Sequence, residues 1–96
     1  MSRNGDPSVP RIPRDIEEHP DYATLAARIQ PDRHLFDYWM EGLNMVIASI
    51  PEEFDGIGDV RVALHAGSRL LGIPELAVTF RFTEILITLL WIERLD

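Results

Sequence analysis

The last part of the chain, residues 75 to 96, contains no glycine, proline or asparagine and is mostly apolar. A segment without helix-breaking residues is more easily one long helix than one strand, because strands in globular proteins are short. Two strands would need a turn between them, and the residues that usually form turns are absent. We therefore predict one helix over this segment, and this prediction decides the fold class.

Two short stretches indicate a different interpretation of the same half of the chain. The sequence "VRVALH" (residues 60 to 65) and the sequence "VTFRFT" (residues 78 to 83) alternate apolar and polar residues. This period is typical of half-buried strands, and the second stretch is also rich in β-branched and aromatic residues. Strands over residues 60–65 and 77–83 are therefore the alternative to helices there.

Two earlier helices are predicted from their ends and their apolar faces. Proline suits a first helical turn, so the first helix runs from about Pro20 to Gln30 and ends before Pro31. Asp32 is a suitable N-cap for a second helix from about Arg33 to Ile50. The apolar side of the second helix is formed by Leu35, Phe36, Trp39, Met40, Leu43, Val46, Ile47 and Ile50.

A tight helix hairpin is predicted in the C-terminal half. A third helix would cover Val60 to Leu71, Gly72 would form its left-handed C-cap, and Pro74 would begin the next helix. The fold class predicted for the chain is therefore all-α, a small bundle of about four helices.

Proline recurs every third residue at Pro7, Pro10 and Pro13, which matches the period of polyproline II. We predict a disordered or extended arm over residues 1–14 and a single helical domain over residues 15–96. A proline-recognition domain could bind this arm, but a solvated tail is favoured.

Two residue types are missing, and each absence excludes a class of chemistry. Without cysteine there are no disulfides, thiolate zinc sites, iron–sulfur clusters or cysteine nucleophiles. Without lysine there is no Schiff-base chemistry and no phosphate-binding-loop lysine. Arginine as the basic residue is typical of a genome rich in G and C. We predict no cofactor.

The net charge and the hydropathy pattern restrict the partners and the location. A formal net charge of −7 argues against general affinity for nucleic acid or anionic membranes. The N-terminus lacks the apolar run of a secretory signal, and the apolar run Ile85 to Ile92 is too short to span a membrane. We therefore expect a cytoplasmic protein with no membrane span.

A candidate anion-binding or partner-binding site is formed by Arg61, His65, Ser68 and Arg69. If residues 60 to 71 are helical, these four residues share one side of the helix, opposite the small residues Ala63, Ala66 and Gly67. Guanidinium groups and an imidazole on adjacent turns can hold a carboxylate or a phosphate. An ordinary solvated helix face is the plainer interpretation.

The sequence "HAGSR" followed by "LLGIPEL" resembles the motif of histidine phosphotransfer domains. That family consists of small helix bundles with an exposed histidine, which would be His65 here. The usual H-x-x-K-G spacing is not met, and aligning "LGIPEL" with the family's Leu-Gly turn places Val62 at the histidine position. The resemblance implies a phosphoacceptor role for His65 as an alternative function.

The sequence "SRLLGIPELAVTFR", residues 68 to 81, resembles the turn of a helix-turn-helix. Its second helix would offer Glu75, Thr79 and Arg81 for base contacts. Base recognition needs exposed Arg, Asn or Gln supported by phosphate contacts, and this segment is too apolar and the chain too acidic. DNA binding is therefore a further, less favoured alternative.

No metal site and no catalytic residue set is predicted. His34 and Asp37 lie one helical turn apart, as do Asp37 and Glu41, but no Glu-x-x-His motif accompanies them. This group falls on the polar face of the second helix, where solvated side chains are expected. We also find no Ser-His-Asp spacing and no pair of carboxylates on an apolar face, so we expect a protein that is not an enzyme.

The last predicted helix has more apolar surface than three other helices could cover. Such a surplus indicates self-association or a bound partner. The leading functional prediction is a small non-catalytic interaction or regulatory protein that acts through an oligomeric or partner-bound helical surface, with itself as a dimer or another protein as partner. The residues predicted for this interface are Phe80, Phe82, Ile87, Leu90 and Trp91.

Overall fold

Both helices follow the first strand, and four strands follow the helices. The structure is a computed structural model, and it describes residues 12 to 96. In chain order the elements are β1 (Asp15–Glu18), α1 (Pro20–Ile29), α2 (Arg33–Ser49), a 3₁₀ turn (Pro51–Glu53), β2 (Asp55–Ile57), β3 (Val60–His65), β4 (Leu76–Phe82) and β5 (Leu86–Arg94).

The strands form one mixed sheet with the order β1-β5-β4-β3-β2. β1 pairs in parallel with β5, and the other neighbouring strands pair antiparallel. β1 is thereby separated in sequence from the strand that it joins in space. The helices pack on one face of the sheet and leave the opposite face without a helix.

The predicted all-α bundle is therefore wrong: the fold is α/β, with a five-stranded sheet and two helices. The predicted third helix is β3 followed by a loop, and the predicted fourth helix is β4, a turn and β5. The predicted helix hairpin is therefore also wrong, and residues 15–96 are not a helical domain. The arm predicted over residues 1–14 lies outside the described residues except for residues 12 to 14.

Thr83 forms the turn between β4 and β5, which the sequence analysis did not predict. The backbone N–H of Thr83 donates to the carbonyl oxygen of Leu86 at 2.8 Å. The hydroxyl oxygen of Thr83 accepts from the N–H groups of Ile85 at 3.3 Å and Leu86 at 3.0 Å. Because a threonine hydroxyl can replace a backbone partner in a turn, the chain reverses here without glycine, proline or asparagine.

The structure confirms the two helices predicted in the first half of the chain. α1 begins at Pro20, and α2 begins after Asp32, whose carboxylate accepts from the N–H of Leu35 at 3.2 Å. The predicted last residues, Gln30 and Ile50, are the C-cap residues of α1 and α2.

The core lies between the helices and one face of the sheet. Phe80 is fully buried in its centre, and its ring meets the ring of Phe54 edge-on at 5.7 Å between centroids. The cluster of buried residues comprises Tyr22, Ala26, Phe36, Met40, Ile47, Ala63, Leu76, Val78, Phe80, Ile87, Leu89 and Ile92.

Tyr22 carries a buried hydroxyl without a hydrogen-bond partner among the described residues. Burial, with the nearby charge of Glu18, raises the pKa of Tyr22 well above its usual range. An unpaired buried hydroxyl destabilises the folded state, so Tyr22→Phe should leave the free energy of unfolding unchanged or raise it by about 1 kcal/mol. Urea unfolding measures this, with Tyr38→Phe at an exposed position as the control. A loss of more than about 1 kcal/mol would show that the hydroxyl is bonded.

Candidate functional site

The four residues predicted to form one anion-binding stripe are separated by the fold. Arg61 and His65 belong to β3, on the same side as buried Ala63 and therefore toward the helices. Ser68 and Arg69 belong to the loop that joins β3 to β4. Residues 60 to 71 do not form a helix, so the four residues do not share one helical surface.

Arg61 is hydrogen-bonded to the loop before β3. Its Nε donates to the carbonyl oxygen of Gly58 at 2.8 Å, and one terminal nitrogen donates to the carbonyl oxygens of Glu52 at 2.9 Å and Phe54 at 2.8 Å. The guanidinium also lies over the ring of Phe82, 5.7 Å from its centroid. Arg61 therefore fixes the 3₁₀ turn and the turn between β2 and β3 to the strand β3, and its donors are largely occupied.

His65 has a partner on each ring nitrogen. Its Nδ1 accepts from the N–H of Gly67 at 2.9 Å, and its Nε2 lies 2.9 Å from the carbonyl oxygen of Trp39 on α2. These partners require a neutral ring with the proton on Nε2, which donates to Trp39. His65 thus connects the end of β3 to α2. It is not the exposed helical histidine that a phosphotransfer domain requires.

The loop between β3 and β4 is a short hairpin extension. Ser68 and Ile73 exchange two backbone hydrogen bonds of 2.9 and 2.8 Å, and the Ser68 hydroxyl accepts from the N–H of Leu71 at 3.2 Å. The side chain of Arg69 is exposed and has no partner among the described residues, whereas its carbonyl oxygen accepts from the N–H of Gly72 at 3.4 Å. The left-handed conformation predicted for Gly72 is present, with φ +72°, but in this loop rather than at a helix end. The segment that would form the second helix of a helix-turn-helix is the strand β4.

Arg14 is a structural residue that the sequence analysis missed. Its Nε donates to the carbonyl oxygen of Thr83 at 2.7 Å, and its guanidinium lies 5.8 Å from the centroid of the Phe82 ring. Together with Arg61, it places two guanidinium groups against the same ring. No local signal identifies this pairing, because Arg14, Arg61 and Phe82 are distant in sequence.

The residues predicted for the interface fall into two groups. Phe80 and Ile87 are fully buried in the core, and Phe82 is partly buried beside them. The pairing of β4 with β5 shifts between Thr79 and Phe80, so that Leu89 and Ile92 both face the core. Leu90 and Trp91 lie between them and therefore share the opposite face.

We call the sheet surface opposite the helices the open face. It carries an exposed apolar row along β3, where Leu64 is 66% exposed, and it carries Trp91 on β5, which is 46% exposed. β4 lies between these two strands, and its Thr79 is opposite both Val62 and Trp91. Antiparallel sheets with one solvated face usually carry polar residues there. The apolar residues that define the open face are Ile57, Val60, Val62, Leu64, Leu90 and Trp91.

Charges of both signs border this apolar surface. Arg81 on β4 is opposite Thr88 on β5, and Thr88 is opposite Glu17 on β1. The Thr88 hydroxyl lies 3.5 Å from a carboxylate oxygen of Glu17. Glu93 is exposed at the other end of β5. The open face thus has apolar residues on both sides of the central strand β4 and charged groups of both signs toward its ends.

The group of His34, Asp37 and Glu41 shows no metal-binding geometry. Asp37 is paired with Arg33, whose Nε lies 2.9 Å from its carboxylate. Within residues 12 to 96, no three His, Asp or Glu side chains are placed to hold a metal ion. Neither described helix has the length and apolar character needed to cross a membrane.

Comparison with protein-family models, with curated proteins and with solved structures found no match. The function proposed below is therefore inferred from the surfaces and side chains of residues 12 to 96.

Proposed function

We propose that this protein is a non-catalytic interaction protein that forms a homodimer through its open face. The observation that supports this most is the exposed apolar row Val60, Val62 and Leu64 on β3, together with exposed Trp91 on β5 across the central strand β4. Contiguous exposed apolar surface is uncommon on a monomer and marks interaction sites. Tryptophan is also over-represented among the residues that dominate binding energy.

A second copy is the occupant that fits the charges of this face. A two-fold dimer places the same surface on both subunits, so the surface must complement itself. Arg81 and Glu93 are both exposed on the open face, so that each could meet the opposite charge of a second copy. Two sheets packed face to face would bury the apolar residues of the open face in the manner of a β-sandwich.

The anion-binding, phosphotransfer and DNA-binding alternatives receive less support. Arg61 and His65 donate to backbone carbonyl groups within the chain, which leaves Arg69 as the exposed cation of the predicted stripe. The net charge of −7 opposes binding to nucleic acid. We further propose a cytoplasmic location, which rests on the sequence argument alone.

Light scattering after size exclusion, over a dilution series, tests the homodimer. We expect a mass of twice 11.0 kDa for the unaltered chain. Leu64→Glu should weaken dimerisation by at least about tenfold, because two charges would be buried in an apolar interface. Leu70→Glu changes a leucine that is 94% exposed in the loop after β3 and should have no effect.

Circular dichroism on the same samples shows whether each variant keeps its fold. A monomer at every concentration would contradict the proposed homodimer. An equal loss in Leu70→Glu would contradict the assignment to the open face.

A further inference from the structure

The outer edge of β1 is unpaired from Asp15 onward. Just before it, the N–H of Arg14 donates to the carbonyl oxygen of Ala48 near the end of α2 at 3.1 Å. The N–H of Asp15 donates to the carbonyl oxygen of Ile85 at 3.1 Å, and the N–H of His19 donates to that of Leu89 at 2.8 Å. Backbone groups alternate in direction along a strand, so the N–H groups of Ile16 and Glu18 point away from β5. Neither has a hydrogen-bond partner among the described residues. Such an edge can pair with another strand.

A groove of about 470 Å³ lies between this edge and α2. Its apolar wall includes Ile16 from β1 together with Tyr38 and Met45 from α2. These α2 side chains are 64% and 57% exposed, although both are large and have apolar surface. The groove can therefore receive side chains from a strand that pairs with β1.

The free charges along the groove are negative. Glu41 lines it, is exposed and makes no ion pair with a described residue. Asp37 also lines it and uses one carboxylate oxygen to bind Arg33. Arg14 at the end of the groove is cationic, but one of its terminal nitrogens lies 3.8 Å from a carboxylate oxygen of Glu52, and its guanidinium also donates to the carbonyl oxygens of Thr83 and Ala48. A basic side chain would complement this rim, and the net charge of −7 would favour its approach.

Asn44 provides an independent indication of a ligand. It lines the same groove, and its Oδ1 is buried without a hydrogen-bond partner among the described residues. A buried acceptor without a partner destabilises a fold by about 1 to 3 kcal/mol. A guanidinium or ammonium group that reached this oxygen would supply the missing donor.

We propose that the outer edge of β1 binds an extended, basic segment of a partner protein as an additional strand. Main-chain hydrogen bonds form with Ile16 and Glu18, as in other cases of strand addition. Apolar side chains of the segment contact Tyr38 and Met45, and an arginine or lysine contacts Glu41. This site is separate from the open face and does not depend on the homodimer.

The probe is a short fluorescein-labelled peptide in which serine occupies every second position and valine and arginine alternate at the positions between, so that valine and arginine share the face toward α2. It is titrated with the full chain and followed by fluorescence anisotropy. We expect saturable binding, and binding at least about tenfold weaker for the same peptide with glutamate in place of arginine. A basic peptide methylated on alternate backbone nitrogens should also lose at least about tenfold, because it cannot complete the strand pairing. Equal binding of the methylated peptide, or no saturable binding of the basic one, would overturn the proposal.

Substitutions in the chain locate the site. Ile16→Pro removes an outward N–H and should weaken binding much more than Ile16→Ala, which keeps it. Glu41→Gln should weaken binding about threefold or more, whereas Glu84→Gln at the exposed turn after β4 should not change it. Circular dichroism checks the fold of each variant. If Ile16→Pro and Ile16→Ala lose affinity equally, or if Glu84→Gln matches Glu41→Gln, the site does not lie at the edge of β1.

Discussion

Replacement of Arg61 by methionine is expected to lower the free energy of unfolding by about 2 to 3 kcal/mol. Methionine keeps most of the aliphatic stem but removes the guanidinium group. Three backbone carbonyl groups, those of Glu52, Phe54 and Gly58, would lose their donor. The contact with the Phe82 ring would be lost as well. Urea unfolding followed by circular dichroism measures the change.

Arg69→Met is the matched control for this prediction. The side chain of Arg69 is exposed in the loop after β3 and has no partner among the described residues, so its replacement should change the free energy of unfolding by less than about 0.5 kcal/mol. Arg61→Lys should be intermediate, because an ammonium group cannot reproduce the planar arrangement of donors. Equal effects of Arg61→Met and Arg69→Met would contradict a structural role for Arg61.

The sequence predicted the helices well because the signals for them are local. Pro20 begins α1, Asp32 caps α2, and a period of 3.6 residues marks the buried side of each helix. Each of these signals acts within a few residues of the helix that it defines. The bounds of both helices could therefore be predicted without knowledge of the rest of the fold.

Strands β3 and β4 were predicted only as the alternative, over residues 60–65 and 77–83, and the other three strands were not predicted, because their determinants are distant or hidden. β1 pairs with β5, from Asp15 beside Leu86 to Glu18 beside Leu89, and no local pattern reports that pairing. β5 is apolar on both faces, since Ile87 faces the core while Trp91 faces outward. The irregular pairing with β4 also interrupts the alternation. A strand with these properties has the same local pattern as a buried helix.

The grouping predicted for Arg61, His65, Ser68 and Arg69 is only partly present in the structure, for the same reason. A period of two residues keeps Arg61 and His65 on one side of β3, as a helix would also have done. Ser68 and Arg69 separate from them because the strand ends at His65. The outward edge of β1 and the groove beside it depend on the position of β1 in the sheet, so residue types alone could not indicate them.

Gly67→Ala is expected to destabilise the protein by about 3 kcal/mol. Gly67 has φ +72°, which strains any residue with a Cβ. A Cβ at this position would lie 2.6 Å from the carbonyl oxygen of Ile73 and 2.8 Å from the carbonyl carbon of Pro74. Both are backbone atoms and can move only if the start of β4 moves. The hydrogen bond from Gly67 to His65 would be disturbed as well.

Gly72→Ala separates the conformational cost at Gly67 from the steric one. Gly72 has the same φ of +72°, but a Cβ there would meet no atom within 4 Å. The change should therefore cost about 1 kcal/mol, which is the conformational penalty alone. Thermal and urea unfolding of both variants give the difference of about 2 kcal/mol that we assign to the close approach of Gly67 and Ile73. If Gly67→Ala and Gly72→Ala lowered the free energy of unfolding equally, the loop would adapt to a side chain at position 67. The position of His65 would then not depend on the present conformation of Gly67.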